Sequence, residues 1–219
     1  MRKPRVGMSQ VSFLNADFSN IQALRKLALL LSTPTAFSML VVQKIRTMAS
    51  ALKNLSTYDE SNLPSAEKMK FGIVIADWNS KITHALYEGC VDTLVKHGAK
   101  ENKIVSIQVP GTFELPGGAK LMLQNKKYDA VICIGCVIKG ETSHNEYINH
   151  SVAHGLVNLT LKTGTPCIFG VLTPNDEQQA IDRSGGKYGN KGVEAAVTAI
   201  RMASLKEELK KSEKRSIGF

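Results

Sequence analysis

Asp129-Ala130-Val131-Ile132-Cys133-Ile134-Gly135-Cys136-Val137-Ile138 is the most apolar stretch in the body of this 219-residue chain. It does not alternate, as a strand with one wet face would, so it reads as a strand buried on both sides. Three shorter runs resemble it: Phe71–Ala76, Lys103–Val109 and Pro166–Leu172. Helical spacing fills the gaps between them. Ile82, Ala85, Leu86, Gly89, Cys90 and Leu94 recur on one face, with Gly98 after His97 as the stop. A second helix runs through Leu115, Ala119, Leu121 and Met122, and a third from about Ser143 to Thr163. Helices at about Asp176–Ser184 and Lys191–Lys211 close the chain around the Gly-rich Ser184–Asn190. This pattern predicts a doubly wound α/β domain with a four-stranded parallel sheet and helices on both faces. Such sheets bind ligands outside the carboxyl ends of their strands. The rule selects Asp77–Ser80, Pro110–Glu114, Lys139–His144 and Thr173–Asp176.

Composition narrows the class. Hydrophobic residues are 43% and charged residues 21%, enough for a packed core. The net charge of +9 sits at the ends: +6 in residues 1–47 and +3 in 201–219, while 48–200 is neutral. A neutral body argues against a nucleic-acid face. The apolar stretch Leu27–Val42 is broken by Ser, Thr and Pro34 and is too short for a membrane span. Residues 1–47 therefore read as a leader, a targeting segment or an extension ahead of a start at Met48, followed by a polar arm at 48–70. The domain itself is expected at 71–213, with a tail at 214–219. Cys90, Cys133, Cys136 and Cys167 lie in apolar runs, which favours reduced thiols in a cytoplasmic setting, or an organelle if 1–47 is a transit peptide.

The candidate loops carry distinct chemistry. Lys139-Gly-Glu-Thr-Ser-His144 leads into a helix, so the Glu141 and Thr142 N–H groups and the Thr142 hydroxyl can receive an anion. Taken alone, the segment fits an ordinary cap by Thr142 or Ser143 better. Neither a P-loop nor a Rossmann fingerprint is present. His144, at the sheet's carboxyl edge, reads equally as a proton acceptor or as a solvated surface residue. His150 and His154 imitate a metal pair but lack the Glu of the zinc-protease motif, so they read as packing or surface residues. Cys133-Ile-Gly-Cys136 has C-x-x-C spacing inside a strand, where nothing activates a thiol. Trp78 sits in a polar loop, placed to stack on a planar ring or to cover a core edge.

Together the loops resemble the 6,7-dimethyl-8-ribityllumazine synthase family. The resemblance spans about Lys70 to Leu205. It rests on Asp77-Trp78-Asn79, Val109-Pro-Gly-Thr-Phe-Glu-Leu-Pro116, Gly135-Cys-Val-Ile-Lys-Gly-Glu-Thr-Ser-His144, Phe169-Gly-Val-Leu-Thr173 and Gly189-Asn-Lys-Gly192, in that order. Lys139 stands where Arg is common in the family.

The resemblance implies a flavodoxin-like fold and a step of riboflavin biosynthesis. In it, 5-amino-6-(D-ribitylamino)uracil condenses with 3,4-dihydroxy-2-butanone 4-phosphate, releasing phosphate and water without metal or organic cofactor. It implies that Trp78, Asn79, Val137 and Ile138 meet the pyrimidine, with Cys136 offering backbone atoms. Thr112, Phe113 and Glu114 would meet the ribityl chain. Glu141, Thr142 and Arg183 would hold phosphate, and His144 would move a proton. Phe169 and Lys191, implied at the pyrimidine and ribityl chain, and Arg183 fall on positions that the family presents from a neighbouring subunit. It further implies a homopentamer, with the uninterrupted Ser184–Lys191 favouring an icosahedral shell of pentamers that can enclose a riboflavin synthase. The arm at 49–70 is a candidate for strand addition to a neighbour. Competing readings are a non-catalytic flavin- or lumazine-binding or shell protein, and an archaeal-type riboflavin synthase.

Overall fold

The computed structural model describes residues 56–216; the expectations for residues 1–47 and for the start of the arm lie outside them. Four parallel strands form the sheet in the order β2-β1-β3-β4. They are β1 (Phe71–Ala76), β2 (Ile104–Val109), β3 (Ala130–Cys136) and β4 (Cys167–Leu172). Among the described residues five α-helices accompany them: α1 (Ser80–Lys96), α2 (Leu115–Asn125), α3 (His144–Thr163), α4 (Glu177–Asp182) and α5 (Lys191–Ser216). Among the described residues no helix is long and apolar enough to cross a membrane.

Alternation along the buried strands feeds two cores. Ile73, Ile75, Ile132 and Ile134 face α1 and α5, packing on Leu86, Cys90, Leu94, Ala196 and Ile200. Val74, Ala76, Val131 and Cys133 face the other way, onto Leu115, Ala119 and Met122 of α2 and Val152 and Leu156 of α3. Every residue of β1 and β3 is buried, which explains why their sequences carry no polar face. Strand β2, at the edge beside β1, is less covered than β4 at the other edge. Ser106 and Gln108 point to solvent, so it is half-buried.

The Cys133 and Cys136 side chains belong to opposite cores, so the two thiols cannot meet. Burial pushes the Cys136 thiol up to about 11 and raises Cys90 and Cys133 further, as expected for inert structural thiols.

Three local features depart from the sequence reading. The Gly-rich stretch after α4 is a short antiparallel ribbon, β5 (Ser184–Gly186) with β6 (Gly189–Asn190). Its glycines take positive φ at Gly185 and Gly189. Strand β3 ends at Cys136, and the loop residues Val137 and Ile138 that follow it line a cleft. Residues 56–70 lie along their own chain rather than forming a wholly polar arm. Ala66 is fully buried and its N–H donates to the His97 carbonyl, while Leu63 and Met69 pack on the α1–α5 core.

Candidate active site

The sheet's carboxyl edge is built by loops that continue strand pairing past the strands. Asp77 N–H donates to the Val109 carbonyl at 2.9 Å and Trp78 N–H to the Pro110 carbonyl at 3.1 Å. Asn79 then enters the left-handed region at φ 61°, a conformation Asn tolerates better than most residues. Its Nδ2 donates to the Cys136 carbonyl at 2.9 Å. On the far side, Val137 N–H donates to the Leu172 carbonyl and Lys139 N–H to the Pro174 carbonyl, each at 2.9 Å.

Between these loops lies a cleft of about 790 Å³, a size suited to a small-molecule ligand. One wall is Trp78 and Asn79; another is Thr112, Phe113 and Glu114, which form a tight turn into α2. The floor is Cys136, Val137 and Ile138, and the rim is Gly140, Thr142 and His144. Trp78 is 73% exposed and Phe113 58% exposed, so neither ring covers the core. The core-edge reading of Trp78 is therefore excluded.

Gly135 makes this packing possible. A Cβ there would stand 2.7 Å from Thr112 Oγ1, so only glycine lets the Thr112 turn rest on β3. Thr112 Oγ1 is buried and finds no hydrogen-bond partner among the described residues.

The start of α3 corrects the capping expectation. Ser143 enters the helix at φ −72° and ψ 9°, nearly helical rather than extended, and makes no side-chain capping bond. A capping hydroxyl reaches the first-turn N–H groups from an extended backbone, which Ser143 lacks. Among the described residues the N–H groups of Glu141 and Thr142 have no hydrogen-bond partner. They lie at the positive end of a 20-residue helix, the setting in which anions bind. Glu141, Thr142 and His144 are exposed. His150 and His154 are exposed on the same helix, in keeping with a surface role.

Phe169, Arg183 and Lys191 do not line this cleft. Phe169 lines a separate apolar groove with Cys167 and Met202. Arg183 follows α4, and Lys191 begins α5. The Gly189–Gly192 segment fixes that start. Asn190 Nδ2 donates to the Ala85 carbonyl and its Oδ1 accepts from Gly192 N–H, both at 2.8 Å. A Cβ at Gly192 would overlap the Leu86 carbonyl, so α1 and α5 meet closely there.

The model of the 6,7-dimethyl-8-ribityllumazine synthase family matches residues 68–207. The chain belongs to the lumazine synthase family. The lumazine synthase of Flavobacterium psychrophilum is 52% identical over 161 residues, 74% of this chain and 85% of that protein. That of Phocaeicola vulgatus is 48% identical over 166 residues, 76% of this chain and 99% of that protein. The Cytophaga hutchinsonii lumazine synthase is 52% identical over 155 residues, with coverages of 71% and 97%. The cleft also includes residues the sequence reading passed over, notably Asn145, Tyr147 and Ile148. Tyr147 is 73% exposed and lies three residues after His144, hence on the same helical face. That spacing was the available signal.

Proposed function

We propose that this cleft carries out the family's reaction, the condensation of 5-amino-6-(D-ribitylamino)uracil with 3,4-dihydroxy-2-butanone 4-phosphate. The chain is a lumazine-forming enzyme of riboflavin biosynthesis. The single observation that carries the site assignment is the juxtaposition of two exposed aromatic rings with an uncapped helix N-terminus across one cleft.

Trp78 stacks on the pyrimidine, with Asn79, Cys136, Val137 and Ile138 around its edge. Thr112, Phe113 and Glu114 follow the ribityl chain, whose hydroxyls the Glu114 carboxylate accepts. The butanone phosphate meets the free N–H groups of Glu141 and Thr142 and the guanidinium of Arg183. The pyrimidine's own amine attacks the ketone, so no activated Ser or Cys is needed. What remains is to orient two substrates, move protons through His144 and stabilise departing phosphate.

From a neighbouring subunit, Phe169 and Lys191 serve the pyrimidine and ribityl chain, and Arg183 serves the phosphate. Their separation from the cleft of their own chain supports that reading, which requires a head-to-tail contact of the kind that closes into a ring. We take the ring to be a pentamer, with pentamers packing into an icosahedral shell able to enclose a riboflavin synthase. Its free thiols, three of them buried and Cys167 partly so, favour a cytoplasmic enzyme.

Purified protein mixed with both substrates should develop lumazine absorbance well above the uncatalysed rate. Absence of that gain would defeat the assignment, and riboflavin formed from lumazine alone would favour a riboflavin synthase instead.

A further inference from the structure

Glu194 stands in the first turn of α5 and divides its carboxylate between two cations. Oε1 accepts from Arg183 Nη2 at 2.7 Å, and Oε2 accepts from Lys191 Nζ at 3.0 Å. The three side chains are only 18% (Arg183), 22% (Glu194) and 29% (Lys191) exposed. Arg183 is held at a second point, where Nη1 donates to the Tyr188 carbonyl at 2.8 Å. The start of α5 is fixed in turn by Asn190 against α1. Two cations and one anion leave a surplus positive charge. Two of the five guanidinium N–H groups are committed and three remain for a ligand.

We infer that Glu194 is a positioning residue that fixes Arg183 and Lys191 relative to each other, and so registers the phosphate subsite against the pyrimidine–ribityl subsite. The inference rests on the roles proposed above for those two cations. Free Arg and Lys side chains sample many rotamers, and a ligand that must order them loses affinity. A shared, half-buried carboxylate orders both before substrate arrives. Glu194 also has an opposing effect, because its negative charge weakens the pull of both cations on phosphate. Substitutions separate geometry from charge. Glu194→Asp keeps the charge but loses the reach to span two cations, whereas Glu194→Gln keeps the reach and loses the charge.

Steady-state kinetics with each substrate varied in turn test the inference on the full chain. Glu194→Asp and Glu194→Ala should each raise the KM for both substrates about fivefold, the scale of a weakened charged hydrogen bond. Arg183→Ala should raise the KM for the butanone phosphate alone, and Lys191→Ala that for the pyrimidine alone. Adding Glu194→Ala to Arg183→Ala should raise the butanone phosphate KM no further. Glu194→Asp carries the same expectation should Glu194→Ala fail to fold, and particle mass and unfolding temperature report that failure. If Glu194→Asp is silent while Glu194→Gln lowers the butanone phosphate KM, Glu194 acts by charge and the inference is overturned. If both KM values stay unchanged in every Glu194 variant while Arg183→Ala remains selective, the inference fails and the subsite roles stand. An unselective Arg183→Ala would remove the subsite roles and the inference together.

Discussion

The Asn79 side-chain amide donates to the Cys136 carbonyl at 2.9 Å and so joins the loop after β1 to the end of β3. The same residue takes the left-handed backbone, at φ 61° and ψ 42°. One residue thus sets both the turn that presents Trp78 and its distance from Val137 and Ile138. Asn79→Ala should lose a hydrogen bond worth about 1 kcal/mol and incur a left-handed backbone cost of about 1–2 kcal/mol. Asn79→Gly should lose only the first. Urea unfolding should therefore rank wild type above Gly and Gly above Ala, with both variants raising the pyrimidine KM. An Ala variant as stable as wild type would remove the backbone constraint from the argument.

Trp78 contributes area to the cleft and little to the core, being 73% exposed. Trp78→Ala should shift unfolding by no more than about 0.5 kcal/mol, as is usual for surface sites. A ring stack on a base is worth about 1–3 kcal/mol, so the pyrimidine KM should rise by roughly tenfold. The butanone phosphate KM should change far less. A large loss of stability without a KM effect would return Trp78 to a packing role.

The legibility of the sequence followed the physics of burial. Phe71–Ala76 and Ala130–Cys136 are buried on both faces, so unbroken apolar runs announced them and, with them, a parallel sheet. Edge strand β2 was located as readily, but its half-exposure follows from how little covers that edge, which periodicity does not encode. The β5–β6 ribbon is too short for any period, and its glycines read as loop. Ala66 and Met69 escaped notice because their burial depends on the distant His97 carbonyl and α1. The cleft was found from the rule about strand ends, whereas the missing cap at Ser143 depends on a backbone angle that no residue type declares.

His144 begins α3 at the rim of the cleft and is exposed, so its loss should cost little stability. His144→Ala should lower kcat while both KM values stay within about threefold of wild type. Proton transfer contributes about 10²–10⁴-fold in general, and the nucleophilic amine needs little help, so the low end is expected. Unchanged turnover would make His144 a surface residue.

Stability should decline in alkali. Burial raises the thiols of Cys90, Cys133, Cys136 and Cys167 above their ordinary range, and Cys136 reaches about 11 from 9.0. A raised folded value means that the unfolded chain releases its proton first, so the stability is complete below about pH 8.5. It falls as pH rises towards 11, by up to about 1.4 kcal/mol per pH unit for each thiol. Burial shifts Lys206 downwards, which opposes the trend, whereas burial raises Tyr128, which adds to it. The unfolding temperature should be flat from pH 7 to 8 and drop between pH 9 and 10.5. A flat profile across that whole range would mean the thiols reach solvent.

The shared site proposed above makes a prediction that neither partner variant makes alone. His144 lies at the cleft, whereas Arg183 is anchored to Glu194 and the Tyr188 carbonyl, away from the cleft-lining residues of its own chain. If one chain supplies His144 and the next supplies Arg183, each variant assembly is impaired at every site. In a ring formed from equal amounts of His144→Ala and Arg183→Ala chains, a site is intact when the first chain carries the Arg183 change and its neighbour the His144 change. Random mixing gives that arrangement at about a quarter of head-to-tail contacts. Assayed at butanone phosphate well below its KM, where the Arg183→Ala defect shows, co-expression of the two variants should therefore restore about a quarter of the wild-type rate per site, in a particle that light scattering reports as a pentamer or a multiple of pentamers. Turnover no better than the mean of the two variants would confine the site to one chain, and an active monomer would dismiss the ring altogether.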